Sequence, residues 1–283
     1  QDNCYIDIIN NVKNNNDIIY SKSYLGNPCS TGLLSFLFYF PLIFWENYFT
    51  AIPLIFLLLF KKCNLILLGD KILANFVTLL LLSNLVFLEL AVSGSDFISI
   101  SISYVVANIF FIEGLKNKKK LFIFISFIFF LFFFGSRSIL LILILPLGYI
   151  YYNKFNDAKV LVYFFLLLIL VSASFIIPYI LLLPNFFPPF HLISKAYWYL
   201  SNIKYILLIL ITILFVFRSF LIKLIKSKYL IFILLLILIP FLLSSVSGMI
   251  FHYSDLSKWE ELNYIFLFTP ALYIFILASF KFK

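Results

Sequence analysis

Long apolar runs separated by short polar connections organise this chain. The runs cover residues 32–60, 72–91, 97–112, 121–134, 139–152, 161–183, 203–222, 229–250 and 263–280. A helix needs ~20 apolar residues to cross ~30 Å of hydrocarbon, and these segments are of that order. The alternating apolar-polar strands of a membrane β-barrel do not occur. The pattern predicts an all-α fold, a polytopic transmembrane helical bundle with about nine crossings.

Two stretches do not read as simple spans. Residues 32–60 are interrupted by Trp45-Glu46-Asn47. They form either a re-entrant or interfacial helix followed by a span, or one long tilted span. Residues 121–134 and 139–152 flank Gly135-Ser136-Arg137-Ser138. Together they are too long for one untilted span, which predicts two short helices with a turn at membrane depth.

Composition agrees with the pattern. The chain is 64% hydrophobic and 12% charged, with a mean hydropathy of +1.11, whereas a soluble domain is nearer ~45–50% apolar and ~25% charged. The net charge of +9 would point to nucleic acid in a soluble protein. Here no RNA-binding signature or long basic arm accompanies it, and the cations sit in short loops, where they act as topology signals. Placing the loops after residues 60, 112, 152, 222 and 280 in the cytoplasm puts fifteen of the 21 Lys and Arg residues there. The acids divide the other way. Only Asp70, Glu113 and Asp157 fall on the cytoplasmic side, and the remaining nine lie on or near the outer face. Trp45, Trp198 and Trp259 fall at the outer boundary, as an aromatic belt would. Cys4, Cys29 and Cys63 show no metal-ligand spacing; Cys4 and Cys29 either pair in an outer loop or stay two separate thiols.

The opening run, QDNCYIDIINNVKNNNDIIYSKSYLGNPCST, is the longest polar stretch and carries Asp2, Asp7 and Asp17. It predicts an extracytoplasmic first loop over 1–31, the candidate catalytic region, followed by a multi-helix transmembrane domain over 32–283. The chain starts at Gln1 without Met, and a first transmembrane helix is expected to precede it.

The order DNCYIDIINNV, NNNDIIYSKSYLGNP, GLLSFLFYFPLIF resembles the first outer loop of the GT-C superfamily of integral membrane glycosyltransferases. In that family an acid opens the loop, an aromatic follows, and a small Pro-containing segment leads into the next helix. On this resemblance Asp2 takes the place of the catalytic acid and Tyr5 that of the aromatic. Residues 27–34 take the closing segment, with Pro28 standing where a proline pair is common. The late segment HYSDLSKWEELNYIFLFTPALYIFIL is similar to a late segment of the same family through Tyr264 and Pro270, with Leu262-Asn263 where an Arg is common. The resemblance implies a polyprenyl-phosphate sugar donor, a glycan, lipid or protein acceptor, and an active face on the outside of a bacterial plasma membrane.

Such chemistry needs a carboxylate within ~3 Å of the acceptor hydroxyl proton, and cations or dipoles for the lipid phosphate. Asp2 is the first candidate base and Asp7 the second; each also suits a solvated loop. Asp96, Arg137, His191, Lys195 and Lys258 are the substrate-binding candidates. Asp96 equally suits an N-cap for the helix beginning at Phe97. Arg137, between two apolar runs, needs a phosphate or a carboxylate such as Asp96 as partner, or serves as an interfacial anchor. His191 and Lys195 also suit an ordinary surface loop. No cofactor is required by these residues; a divalent metal stays open, because Glu260-Glu261 can hold a cation. Three rival readings remain, one of them an accessory membrane subunit without chemistry of its own. The Gly135-Ser136-Arg137-Ser138 turn resembles that of O-antigen polymerases and ligases. A transporter or flippase is the non-enzymatic alternative, although no inverted repeat with matching broken spans is present.

Overall fold

The computed structural model describes residues 32–39, 48–85, 87–88, 96–182 and 270. Among them the chain is helical throughout: α1 (Leu33–Tyr39), α2 (Tyr48–Leu68), α3 (Lys71–Leu82), α4 (Phe97–Lys116), α5 (Lys120–Ser136), a 3₁₀ segment (Ser138–Leu143), α6 (Ile144–Phe155) and α7 (Ala158–Leu182). The crossings expected over 203–222, 229–250 and 263–280 fall outside these residues, apart from 270.

Three helical segments are long and apolar enough to cross a bilayer: Ala51–Leu68, Phe97–Lys116 and Ala158–Pro178. α3 and α5 are apolar but shorter. Large apolar side chains are exposed along α2 (Leu54, Leu58) and α7 (Val162, Phe165, Ile177, Leu181). Such a surface is unfavourable in water and suits acyl chains, as in a membrane protein.

α4 lies at the centre. Every residue from Phe97 to Ile109 is buried, which is the signature of a helix packed on all sides. Ser99, Ser101 and Ser103 fit there because their hydroxyls donate to the carbonyls of Asp96, Ile98 and Ser99, at 2.8, 2.9 and 2.5 Å. The polar groups are thus satisfied inside the helix itself. α4 packs mainly against α5 and α2, and α6 packs against α7.

The helices are joined in hairpins by sharp turns. Gly69 takes a positive φ of 61°, and Lys118 and Asn156 take 51° and 50°. Asp70 caps α3 through the amides of Ile72 and Leu73. The α4–α5 and α6–α7 turns share one end of the bundle. There Phe111 lies 4.8 Å from Tyr151 and 4.7 Å from Tyr163, ring centroid to centroid. Lys116, Lys118, Lys119, Lys120, Lys154 and Lys159 collect at this end. Burial, and then the charge of Lys116, lower the pKa of the Lys154 ammonium from its ordinary value.

The ambiguity over 32–60 is resolved. A continuous helix would separate Phe38 and Phe56 by about 27 Å along its axis, yet their ring centroids are 6.1 Å apart. α1 and α2 are therefore separate helices that meet side by side at these rings, and one continuous helix over 32–60 is ruled out. α1 runs back along α5, with Phe38 4.3 Å from Phe132. Beyond Phe56, Phe60, Cys63 and Leu68 are buried, and α2 packs against α4.

Three segments depart from the expected limits, and the first is α2, which runs on through Lys61 and Lys62 to Leu68 instead of ending at residue 60. The run over 72–91 does not form one helix: α3 stops at Leu82, where Ser83 caps the Leu79 carbonyl through its amide and the Leu80 carbonyl through its hydroxyl. The stretch over 121–152 does divide in two. However, its second part begins as 3₁₀ helix, and with α6 it extends about 30 Å. The two parts are antiparallel, and the turn between them is buried and level with the start of α4.

Candidate functional site

Three segments meet at the end opposite the lysine turns: Gly32 at the start of α1, Asp96 at the start of α4, and residues 135–138, where α5 ends and the 3₁₀ segment begins. The last owes its shape to Ser136 and Arg137. Ser136 turns its hydroxyl back onto the Phe133 carbonyl at 2.7 Å, and Arg137 takes an extended backbone at φ −142°, ψ 130°. The helix ends, and the 3₁₀ segment begins with the Leu140 amide on the Arg137 carbonyl at 3.0 Å.

Arg137 is 1% exposed. Its Nη2 donates to Asp96 Oδ2 at 2.7 Å, and its Nη1 donates to the Ser136 carbonyl at 2.9 Å. The guanidinium carbon lies 5.6 Å from the centroid of the Phe97 ring. Asp96 is buried as well. Two opposite charges held in contact avoid the large penalty of a lone buried ion. Of the alternatives open for Arg137, the carboxylate of Asp96 is the partner found. The alternative open for Asp96 is not realised: it occupies the N-cap position of α4, but its side chain makes no cap hydrogen bond. Its carbonyl instead accepts from the Ile100 amide and the Ser99 hydroxyl.

The Ser136 carbonyl has a second donor. The Gly32 amide reaches it at 2.9 Å. Such proximity needs glycine on both sides. A Cβ on Gly32 would overlap the Gly135 carbonyl oxygen, and one on Gly135 would meet Leu34 Cβ at 2.6 Å. A turn of helix further in, the Tyr39 hydroxyl is hydrogen-bonded to Ser99 Oγ, so α1 is held to its neighbours at both of its ends. The arrangement is neutral as a unit and joins three separate segments by charge and hydrogen bonds.

Asp96 and Arg137 are thus brought together. Asp2, Asp7, His191, Lys195 and Lys258 lie outside the described residues. Gly32, Tyr39, Ser99 and the Ser136 carbonyl belong to the same cluster, and the sequence carried little sign of them: a backbone carbonyl has no residue signature, and the serines read as an ordinary apolar-run interruption. Deeper in α4, the Tyr151 hydroxyl donates to Asn108 Oδ1 at 2.5 Å. In α2, Asn64 is fully buried and both of its amide atoms are without a hydrogen-bond partner among the described residues. Among the described residues no group of three or more His, Cys, Asp and Glu is arranged to hold a metal ion. Comparison with protein-family models, with curated proteins and with solved structures finds no match to the chain.

Proposed function

We propose that this chain is a membrane glycosyltransferase of the GT-C type, acting at the outer face of a bacterial plasma membrane. It moves a sugar from a polyprenyl-phosphate donor to a hydroxyl of a glycan, lipid or protein acceptor. The observation that carries the reading is the acid-bearing polar run 1–31, directly before the first apolar segment. The Gly32 contact supports it: the run joins the bundle at the Arg137 end, opposite the lysine turns, where the positive-inside rule expects an outer loop.

Asp2 acts as general base, with Asp7 as the second candidate. The acceptor oxygen attacks the anomeric carbon while its proton passes to the carboxylate. The bond from that carbon to the phosphate oxygen breaks, and polyprenyl phosphate leaves with the electron pair. His191, Lys195 and Lys258 supply positive charge for the departing phosphate, while Arg137 and Asp96, buried and paired with each other, hold the end of the bundle to which the opening run is attached.

The test is Asp2→Asn in the full chain, assayed for transfer from a polyprenyl-phosphate sugar. Loss of a general base lowers turnover by about 10²–10⁴-fold. Undiminished turnover in a correctly inserted protein overturns the assignment of Asp2.

A further inference from the structure

The guanidinium of Arg137 is turned inward. A phosphate is gripped most strongly by the two parallel N–H groups of an arginine fork. In this chain Nη2 is on Asp96 at 2.7 Å and Nη1 on the Ser136 carbonyl at 2.9 Å, with the side chain 1% exposed. The same carbonyl accepts the Gly32 amide at 2.9 Å. A continuous chain of hydrogen bonds therefore runs from the Asp96 carboxylate through the guanidinium to the Ser136 carbonyl and on to the first residue of the bundle.

We propose that Asp96 and Arg137 are a positioning pair that fixes where the opening run joins the bundle, with the Ser136 carbonyl as the shared anchor. The charge on Arg137 keeps the guanidinium on that carbonyl, and Asp96 keeps the charge there. Gly32 and Gly135 permit the backbones to approach closely enough for the anchor to be shared. Holding Gly32 fixes the point at which the opening run is attached to the bundle. The structural part of this inference stands by itself; its consequence for catalysis rests on the glycosyltransferase reading.

Hydrogen exchange in the full chain, reconstituted in lipid, tests it at the Gly32 amide. In Asp96→Asn and in Arg137→Gln, exchange at Gly32 rises about tenfold, the scale of one lost hydrogen bond, while the α4 amides between Ile102 and Ile109 stay protected. The exchanged pair, Asp96→Arg with Arg137→Asp, restores the opposite charges but leaves Gly32 loosened, because a carboxylate at 137 has no N–H for the Ser136 carbonyl. If the single variants lose α4 protection altogether, Arg137→Lys gives the answer. It keeps the charge but not the fork, and Gly32 alone loosens. Unchanged exchange at Gly32 with α4 intact overturns the proposal. The kinetic arm separates positioning from contact. A positioning pair lowers kcat and leaves KM for the polyprenyl-phosphate sugar nearly unchanged; a rise in that KM without change at Gly32 makes Arg137 a phosphate contact and refutes the inference. Absence of transfer by the unaltered protein removes the glycosyltransferase reading and leaves the exchange result standing.

Discussion

A charged side chain and an amide meet burial differently in this chain, and the difference can be measured. Arg137 and Asp96 are buried in contact with each other. The sequence leaves two alternatives for an arginine between two apolar runs, a partner or an interfacial anchorage, and it offers Asp96 as a carboxylate on the same expected face. Asn64 gives no comparable signal. It follows Lys61 and Lys62 and reads as part of a polar helix end. It is nevertheless fully buried, with neither amide atom bonded among the described residues. A buried unbonded amide costs about 1–3 kcal/mol. Asn64→Leu is therefore expected to raise the thermal stability of the detergent-solubilised protein by an amount of that order, and a lowered melting temperature would show that the amide is needed. Asn108 contrasts with it. Its Oδ1 receives the Tyr151 hydroxyl, and its Nδ2 donates to the Tyr104 carbonyl. The first of those bonds spans 43 residues, a contact that no local pattern announces.

Among the elements, those set by long apolar periods are legible in the sequence and those set by a break between helices are not. α4 and α7 start and stop within a few residues of the expected limits, because a basic turn follows or precedes each. The division around Arg137 is legible from length alone. Its 3₁₀ character is not, since it depends on how the Leu140 amide finds the Arg137 carbonyl. α1 is undecidable from sequence: Trp45-Glu46-Asn47 interrupts the run equally well in a tilted helix and between two separate helices. The packing of α1 on α5 depends on Gly135. Gly135→Ala places a methyl 2.6 Å from Leu34 Cβ, and overpacking of this kind costs about 1–3 kcal/mol. The expected result is a lower melting temperature together with faster exchange at Gly32. A variant as stable as the original would mean that α1 moves away at no cost.

For the molecule as a whole, the division of charge between the two ends is the main organising feature. The lysines of the α4–α5 and α6–α7 turns mark one end, and Arg137, already matched by Asp96, lies at the other. Composition makes the helical membrane class legible, and the lysine clusters indicate the direction of the path. The placement of the other candidate site residues is beyond its reach, because Asp2, Asp7, His191, Lys195 and Lys258 stand in stretches of sequence whose position no apolar period dictates. Orientation is open to direct measurement. With Lys118→Cys in a chain whose own cysteines are replaced (Cys4→Ser, Cys29→Ser, Cys63→Ser), a membrane-impermeant thiol reagent applied to intact cells is expected to modify the new cysteine only after the membrane is opened. Modification in intact cells would invert the path and remove the basis for an outer opening loop.

The enclosure of α4 bears on how the protein is made. A segment with three serines and an asparagine among its buried residues is a weaker candidate for release into lipid than the Leu- and Ile-rich α7. Its most extensive partner, α5, is synthesised after it. α4 is therefore best served by waiting at the insertion machinery until α5 emerges, so that the two enter the bilayer as one hairpin and the polar side chains are covered on arrival.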